Sequence, residues 1–300
     1  MSAPDLRKRL SQGVLILDGG MGTQLIARGV EMGRCNELLN VESPDIISQI
    51  HGAYLEAGSD AVITNTFGAN SFSLKRHGLS DRVVEINKAG AQVARQAAGA
   101  GRYVLGDIGP SGGFLVPLGT LEPESLKDAF AEQAQALLDG GADGLIIETM
   151  TALDEMELAI QAAKSVCGEA PVFASMAFDK AGDSFRTMMG VSPEQAIEKI
   201  LSLGVDAVGF NCGTTSLDEY VALAALFVET ARGISGEAVV YAEPNAGKPE
   251  LTDGQAVYMV GPDDFAAAVA KIHAAGVSVV GGCCGTTPAH IKAVAESLKP

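Results

Sequence analysis

Three of the five cysteines in this chain, Cys212, Cys283 and Cys284, stand at the ends of short β-branched runs, in Asn211-Cys212-Gly213 and Gly281-Gly282-Cys283-Cys284-Gly285. A regular strand sends successive side chains to opposite faces, so both members of the vicinal pair reach one point only where the backbone leaves β geometry. Gly281, Gly282 and Gly285 permit that departure. Three thiolates brought together repel one another unless a cation sits between them, and a soft three-sulfur set with tetrahedral reach suits Zn2+. Such a set leaves a fourth position open, the feature that separates a catalytic zinc from a structural one. Cys35 and Cys167 read instead as small apolar packing residues. A disulfide between Cys283 and Cys284 would be strained, and a reducing compartment disfavours it.

Two carboxylates also follow apolar runs: Asp18 in Leu17-Asp18-Gly19-Gly20-Met21-Gly22-Thr23, and Glu148 in Ile146-Ile147-Glu148-Thr149-Met150. Either could bind an ammonium group, while the turn at Gly19 and Gly20 would offer backbone N–H groups to a carboxylate. Together they would grip an amino acid by both charged ends. Helix capping or an internal ion pair accounts for the same residues equally well. Gly106, Gly109, Gly112 and Gly113 lack the G-x-G-x-x-G spacing of a dinucleotide loop. His273-Ala274-Ala275-Gly276 matches the H-x-x-G part of a cobalamin-binding D-x-H-x-x-G motif, but Lys271 stands in place of the Asp and the segment reads as a helix end. His51, His77 and His290 read as helix-surface or cap residues.

The elements that must position these groups form a repeat. Eight β-branched runs, at 14–20, 61–67, 103–110, 144–150, 171–178, 207–213, 238–245 and 278–285, alternate with Ala-rich segments of helical period. The clearest helix spans 123–140, with Leu126, Phe130, Ala134, Leu137 and Leu138 on one face, a proline at its start and Gly140 at its end. Further helices are expected near 44–57, 81–99, 153–167, 192–203, 217–233, 261–275 and 288–298. Gly58-Ser59-Asp60, Gly141-Ala142-Asp143, Gly204-Val205-Asp206 and Gly276-Val277-Ser278 each join a helix to the next strand through a glycine cap, mostly two units apart. Eight strand-helix units without a linker predict one domain over residues 1–300, a single (β/α)8 TIM barrel. Its site would lie at the C-terminal strand ends, where the polar residues are Asp18, Asn65, Asp107, Glu148, Ser175, Asn211, Cys212, Glu243, Asn245, Cys283 and Cys284.

Composition narrows the partner. Lys and Arg number 21 against 37 Asp and Glu, a net charge of −16, so nucleic-acid backbones and anionic membrane surfaces would be repelled. Aromatic residues make up only 5% and Trp is absent, which leaves few rings to stack on bases. The longest apolar helical run, 221–228, is far short of a membrane span, and the N-terminus shows no secretory h-region, so a cytoplasmic location is expected. A small molecule or a protein partner is left.

Over nearly its whole length the chain resembles the homocysteine S-methyltransferase family, the homocysteine-binding barrel of cobalamin-dependent methionine synthase and its stand-alone relatives. The resemblance rests on Asp18 to Thr23, Arg34 to Asn40, Thr64-Asn65-Thr66-Phe67-Gly68, Gly106-Asp107-Ile108-Gly109-Pro110, Ile147-Glu148-Thr149-Met150, Asn211-Cys212-Gly213, Pro244-Asn245-Ala246-Gly247 and Gly281 to Thr287, in that order. It implies zinc on Cys212, Cys283 and Cys284 as the catalytic centre, with Asn245 in the fourth position when no thiol is bound. It also implies a substrate site of Asp18, Gly19, Gly20, Asn65, Glu148 and Asn211, with the ammonium near Asp18 and Glu148 and the carboxylate on the backbone after Asp18. The expected reaction is methylation of the homocysteine sulfur to methionine, with no obligatory general base. No folate or cobalamin domain follows in this sequence, which points to the stand-alone members. The expected donor is a separate methylated corrinoid protein docked over the barrel mouth, on a rim formed partly by the loops at 112–119 and 179–190, and next a methylsulfonium compound. Two other readings keep the fold: methyl transfer to another thiol or selenol, and a non-catalytic zinc- or thiol-binding partner subunit.

Overall fold

The computed structural model describes residues 5–252 and 255–299. Eight parallel strands form its central sheet: β1 (Leu15–Ile16), β2 (Ala61–Ile63), β3 (Tyr103–Ile108), β4 (Gly144–Met150), β5 (Val172–Met176), β6 (Ala207–Asn211), β7 (Val240–Glu243) and β8 (Val279–Val280). Each pairs with its sequence neighbour from β2 to β8, and β1 pairs with β8 in register Leu15 to Val279, so the sheet curls into a (β/α)8 barrel. The helices are α1 (Leu6–Arg9), α2 (Met21–Ala27), α3 (Leu39–Glu42), α4 (Pro44–Glu56), α5 (Ser71–Lys75), α6 (Val83–Ala98), α7 (Pro123–Asp139), α8 (Leu153–Val166), α9 (Pro193–Ser202), α10 (Leu217–Ile234), α11 (Pro262–Ala274) and α12 (Pro288–Leu298). None of the described helices is long and apolar enough to cross a membrane.

The repeated glycines are left-handed, with φ of 109° at Gly58, 103° at Gly141, 70° at Gly204 and 115° at Gly276. The aspartate two residues later explains why the motif returns every second unit. Asp60, Asp143 and Asp206 each accept the N–H of the residue whose carbonyl their own N–H binds: Ile16, Val104 and Val172 respectively. Each carboxylate thus clamps an odd strand to the even strand after it at the N-terminal end of the barrel. Each is also paired with an arginine: Arg9 on Asp60, Arg95 on Asp143 and Arg7 on Asp206.

Strand β1 is shorter than the run 14–20 predicts, and a difference in bonding accounts for it. Towards β2 a carboxylate stands in for much of the ladder, since Ile63 N donates to Asp18 Oδ2 at 3.1 Å and Ile16 N to Asp60 Oδ2 at 2.9 Å. The barrel interior is filled by residues including Leu17, Tyr103, Leu105, Ile146, Phe173 and Tyr241, with Leu6 and Leu10 plugging its base. A larger apolar layer lies between the sheet and the long helices. Burial on both faces accounts for the continuous apolar runs of the strands.

Candidate functional site

The three cysteines meet at the barrel mouth. Their sulfur atoms all lie within 4.8 Å of one another, with Cys283 Sγ and Cys284 Sγ 3.9 Å apart. Cys212 follows the last residue of β6 and takes a φ of 54°; with Thr149 after Glu148, at 59°, it is one of two described non-glycine residues in the left-handed region. Both border the same cavity, and strain of this kind persists only where surrounding bonds hold it. Here Tyr220 Oη donates to Cys212 O at 2.6 Å. On the other side, β8 stops at Val280 and the backbone turns through Gly281 to Gly285, letting both vicinal sulfurs face Cys212. At Gly285 (φ 80°) a Cβ would run into the Tyr258 ring.

The donor chemistry fits a soft cation. Hydrogen bonds from Cys212 and then Cys283 pull the Cys284 thiol down to about 3, while the bond to Cys212 and then that to Cys284 push Cys283 up. Negative charge is thus favoured at Cys284, within a three-sulfur set whose chemistry suits zinc. Cys35 and Cys167 lie elsewhere: Cys35 packs with Ala69, Leu74, Val83 and Ile86, and Cys167 is the C-cap of α8.

Beneath the sulfurs is a cavity of about 390 Å³, bordered by Asp18, Asp107, Glu148, Glu243 and the backbone from Gly19 to Thr23. Glu148 Oε2 accepts from Asn211 Nδ2 at 2.8 Å. Burial, then the proximity of Cys212 and Asp18, pushes its carboxyl up to about 8. Asp107 Oδ1 and Glu243 Oε2 are buried without a hydrogen-bond partner among the described residues. Burial, reinforced first by the Glu148 charge, raises both well above the ordinary carboxylate range. Asp18 is raised as well, by burial, against the opposing pull of His51. Sequence reasoning placed Asp107 and Glu243 at strand ends but gave them no role; the signal was an acid at the end of an otherwise apolar strand.

Asp18 caps no helix. It closes the seam between β1 and β2 while bordering the cavity, and His51 Nδ1 lies 3.9 Å from its Oδ2. His51 is not a surface or cap residue as expected: the face of α4 that carries it packs inward, leaving the ring fully buried behind Asp18. His77 is exposed, His290 completes the capping box of α12, and His273 bonds Val277 O at the end of α11, all as expected.

The three asparagines are engaged in bracing. Asn65 Nδ2 donates to Asn36 O at 2.7 Å and Asn40 Oδ1 at 3.1 Å, although the residue borders the cavity. Asn211 sits behind Glu148: its oxygen accepts from Thr149 N and Ser175 Oγ, and its nitrogen donates to Glu148 and Thr149 Oγ1. Asn245 ties the two cysteine loops together. Its Oδ1 accepts the Cys284 N–H at 3.0 Å and its Nδ2 bonds Gly213 O at 2.7 Å, so a donor nitrogen rather than the oxygen is turned to Cys212 Sγ, 4.0 Å away. At the turn after Asp18, the Gly20 N–H is taken by Thr286 Oγ1 at 2.9 Å. The amides that open α2 have no intrahelical acceptor.

A sequence profile of the homocysteine S-methyltransferase family matches residues 15–298. The chain is 39% identical to methionine synthase of Mycobacterium tuberculosis (strain ATCC 25618 / H37Rv) and 37% identical to that of Mycobacterium leprae (strain TN), each over 98% of this chain and 25% of the relative. It thus spans about a quarter of the length of the curated relatives it matches. In three dimensions it is similar to the metallated form of the homocysteine methyltransferase MmuM from Escherichia coli, with a TM-score of 0.78 and 25% identity over 97% of this chain and 98% of that one.

Proposed function

The chain belongs to the homocysteine S-methyltransferase family, and from that premise we propose that it methylates the sulfur of homocysteine to give methionine, using zinc held by Cys212, Cys283 and Cys284. The observation that carries this reading is the juxtaposition, across one cavity, of a three-sulfur cluster and a set of buried carboxylates. An amino acid with an ammonium at one end and a thiol at the other matches both walls. Zinc, when bound, supplies Lewis-acid stabilisation that keeps the substrate sulfur deprotonated at neutral pH.

The chain's own residues do the rest. Glu148 and Asp18 hold the ammonium, with the unsatisfied oxygens of Asp107 and Glu243 beside them; a buried carboxylate without a partner is stabilised by gaining one. The substrate carboxylate takes the amides of Gly19 and of the first turn of α2, since Gly20 is already committed to Thr286. Asn211 fixes Glu148, and Asn245 braces the backbone beside Cys212 and Cys284. With the sulfur so placed, transfer depends mainly on alignment, the donor carbon coming within about 3–3.5 Å of it.

The surface around the mouth favours a protein-borne donor. Of the twelve exposed large hydrophobic residues among the described ones, ten lie between a barrel strand and the long helix that follows it, on the face that holds the site. They include Phe114 and Leu118 in the loop at 112–119, Met188 in the loop at 179–190, and Leu251 and Met259 after β7. Exposed apolar residues gathered on the face that holds the site favour contact with a protein there. The occupant proposed is a methylated corrinoid protein; a small methylsulfonium donor would need no such rim. The test supplies zinc-loaded protein and homocysteine with a methylated corrinoid protein, free methylcobalamin or S-methylmethionine, and measures methionine. Turnover with the corrinoid protein is expected. Robust turnover with S-methylmethionine and none with either corrinoid overturns the donor, and faster transfer to another thiol or a selenol overturns the acceptor. Stoichiometric zinc without transfer from any donor supports a binding subunit instead.

A further inference from the structure

The loop that leaves β1 and the loop that leaves β8 form one hydrogen-bonded body, and a single buried hydroxyl lies at its centre. Thr286 Oγ1 donates to Cys283 O at 2.7 Å and accepts from Gly20 N at 2.9 Å. Three further bonds run alongside: Gly282 N to Asp18 O at 3.0 Å, Gly285 N to Thr23 Oγ1 at 2.9 Å, and Tyr54 Oη, 3.2 Å from both Gly20 O and Thr286 O. The loops also touch with no slack. A Cβ at Gly19 would lie 2.6 Å from Thr286 Oγ1, and one at Gly20 would lie 2.8 Å from Cys283 O.

We propose that Thr286 is a positioning residue that couples the two ends of the site, so that filling the amino-acid end tightens metal binding at Cys283 and Cys284, and metal binding tightens the amino-acid end. This rests on the reading above in which those cysteines hold zinc and the turn after Asp18 takes the substrate carboxylate. An anion arriving at the amides around Gly20 draws on a segment whose N–H is anchored to Thr286. The same hydroxyl holds the carbonyl of Cys283, so displacement of one loop is felt by the other. Thr286 is fully buried, so water does not replace either bond. Coupling between two binding equilibria is reciprocal by linkage, and couplings of this kind typically run from about 5-fold to 150-fold.

The test uses an amino acid that cannot reach zinc through sulfur. Zinc affinity is measured by chelator competition on the full chain, with and without saturating L-2-aminobutyrate. The expected result is a tightening of about tenfold in the unmodified protein, retained in Thr286→Ser and abolished in Thr286→Val. A purely structural role for Thr286 would weaken both affinities and leave their ratio unchanged. Thr23→Val, which cuts the Gly285 bond between the same loops, lowers the ratio even where Thr286→Val does not fold. A ratio of one in the unmodified protein, or an unchanged ratio in Thr286→Val or Thr23→Val, overturns the proposal. Stoichiometric zinc retained in Cys283→Ala overturns the underlying reading of the site instead, so the two failures are distinguishable.

Discussion

Replacing Glu148 by Gln removes one charge from the cavity and changes little else. Glu148 Oε2 already accepts from Asn211, and a Gln oxygen takes the same bond in the same volume. What is lost, on the proposed reading, is the ionic partner of the substrate ammonium. Breaking a buried charged hydrogen bond from one side costs about 2–5 kcal/mol. The lower end applies here because Asp18, Asp107 and Glu243 border the same cavity, giving about 2 kcal/mol, or roughly 30-fold in Kd. The pH dependence follows from the carboxyl pushed up to about 8 by burial, then Cys212 and Asp18. A cationic ligand needs the ionised form, so affinity for L-2-aminobutyrate, which has no thiol to titrate, weakens as pH falls below about 8, approaching about tenfold per pH unit. In Glu148→Gln that slope flattens. Calorimetry with homocysteine and with L-2-aminobutyrate between pH 6 and 9, alongside zinc analysis, measures both effects. A variant that keeps its zinc and binds homocysteine within about twofold of the unmodified protein, with the same pH slope, refutes the assignment.

Three other outcomes follow from the same geometry. Alanine at Cys212, Cys283 or Cys284 removes zinc and activity together, because two thiolates leave a three-ligand site incomplete, whereas Cys35→Ser and Cys167→Ser keep stoichiometric zinc by metal analysis. Asp107→Asn raises the melting temperature of the metal- and ligand-free protein at pH 8 and not at pH 4. The folded state holds a proton on Asp107 that the unfolded chain releases, so stability present below the ordinary carboxylate range is lost as pH rises through the raised folded value, and Asn cannot ionise. Cys35, its thiol pushed up to about 11 by burial and then by Glu37, resists iodoacetamide at pH 8 in the folded protein and reacts on denaturation, as peptide mapping would show.

The barrel was legible because its repeat is written in residue types with a local cause. A glycine that must be left-handed and an aspartate that must clamp two strands return every second unit at Gly58 and Asp60, Gly141 and Asp143, Gly204 and Asp206. In the fourth turn Ser278 has no carboxylate, and its N–H alone binds Val240 O. The ends of the first and last strands were not legible, since Asp18 takes the Ile63 N–H that a β1 backbone carbonyl would otherwise accept, and the glycines after Val280 release the chain early. Helices α2, α3 and α5, of seven, four and five residues, are too short to show a period, and the hairpins at Asp179–Ala181 with Ser184–Arg186 and at Glu250–Thr252 with Gln255–Val257 lie in loops whose residues alternate weakly.

Within the site, legibility divided along the chemistry of the side chains. The cysteine cluster could be read because a vicinal pair flanked by glycines has few packing explanations. The bracing bonds of the asparagines were not legible. A strand end fixes the height of a residue in the barrel, but an amide carries donors and an acceptor, and loops at a barrel mouth are rich in unpaired backbone groups that draw on both. Asn65, Asn211 and Asn245 are all drawn into that bracing. A carboxyl group carries no N–H, and the neighbours deep in a strand bundle offer few spare donors, so Asp107 and Glu243 each keep a buried oxygen with no described partner. The same lack of donors explains why burial raises their protonation well above the ordinary range, and on the proposed reading an ammonium relieves it. On the proposed reading the acids at this mouth face the substrate, while the amides of Asn65, Asn211 and Asn245 also brace the loops around it.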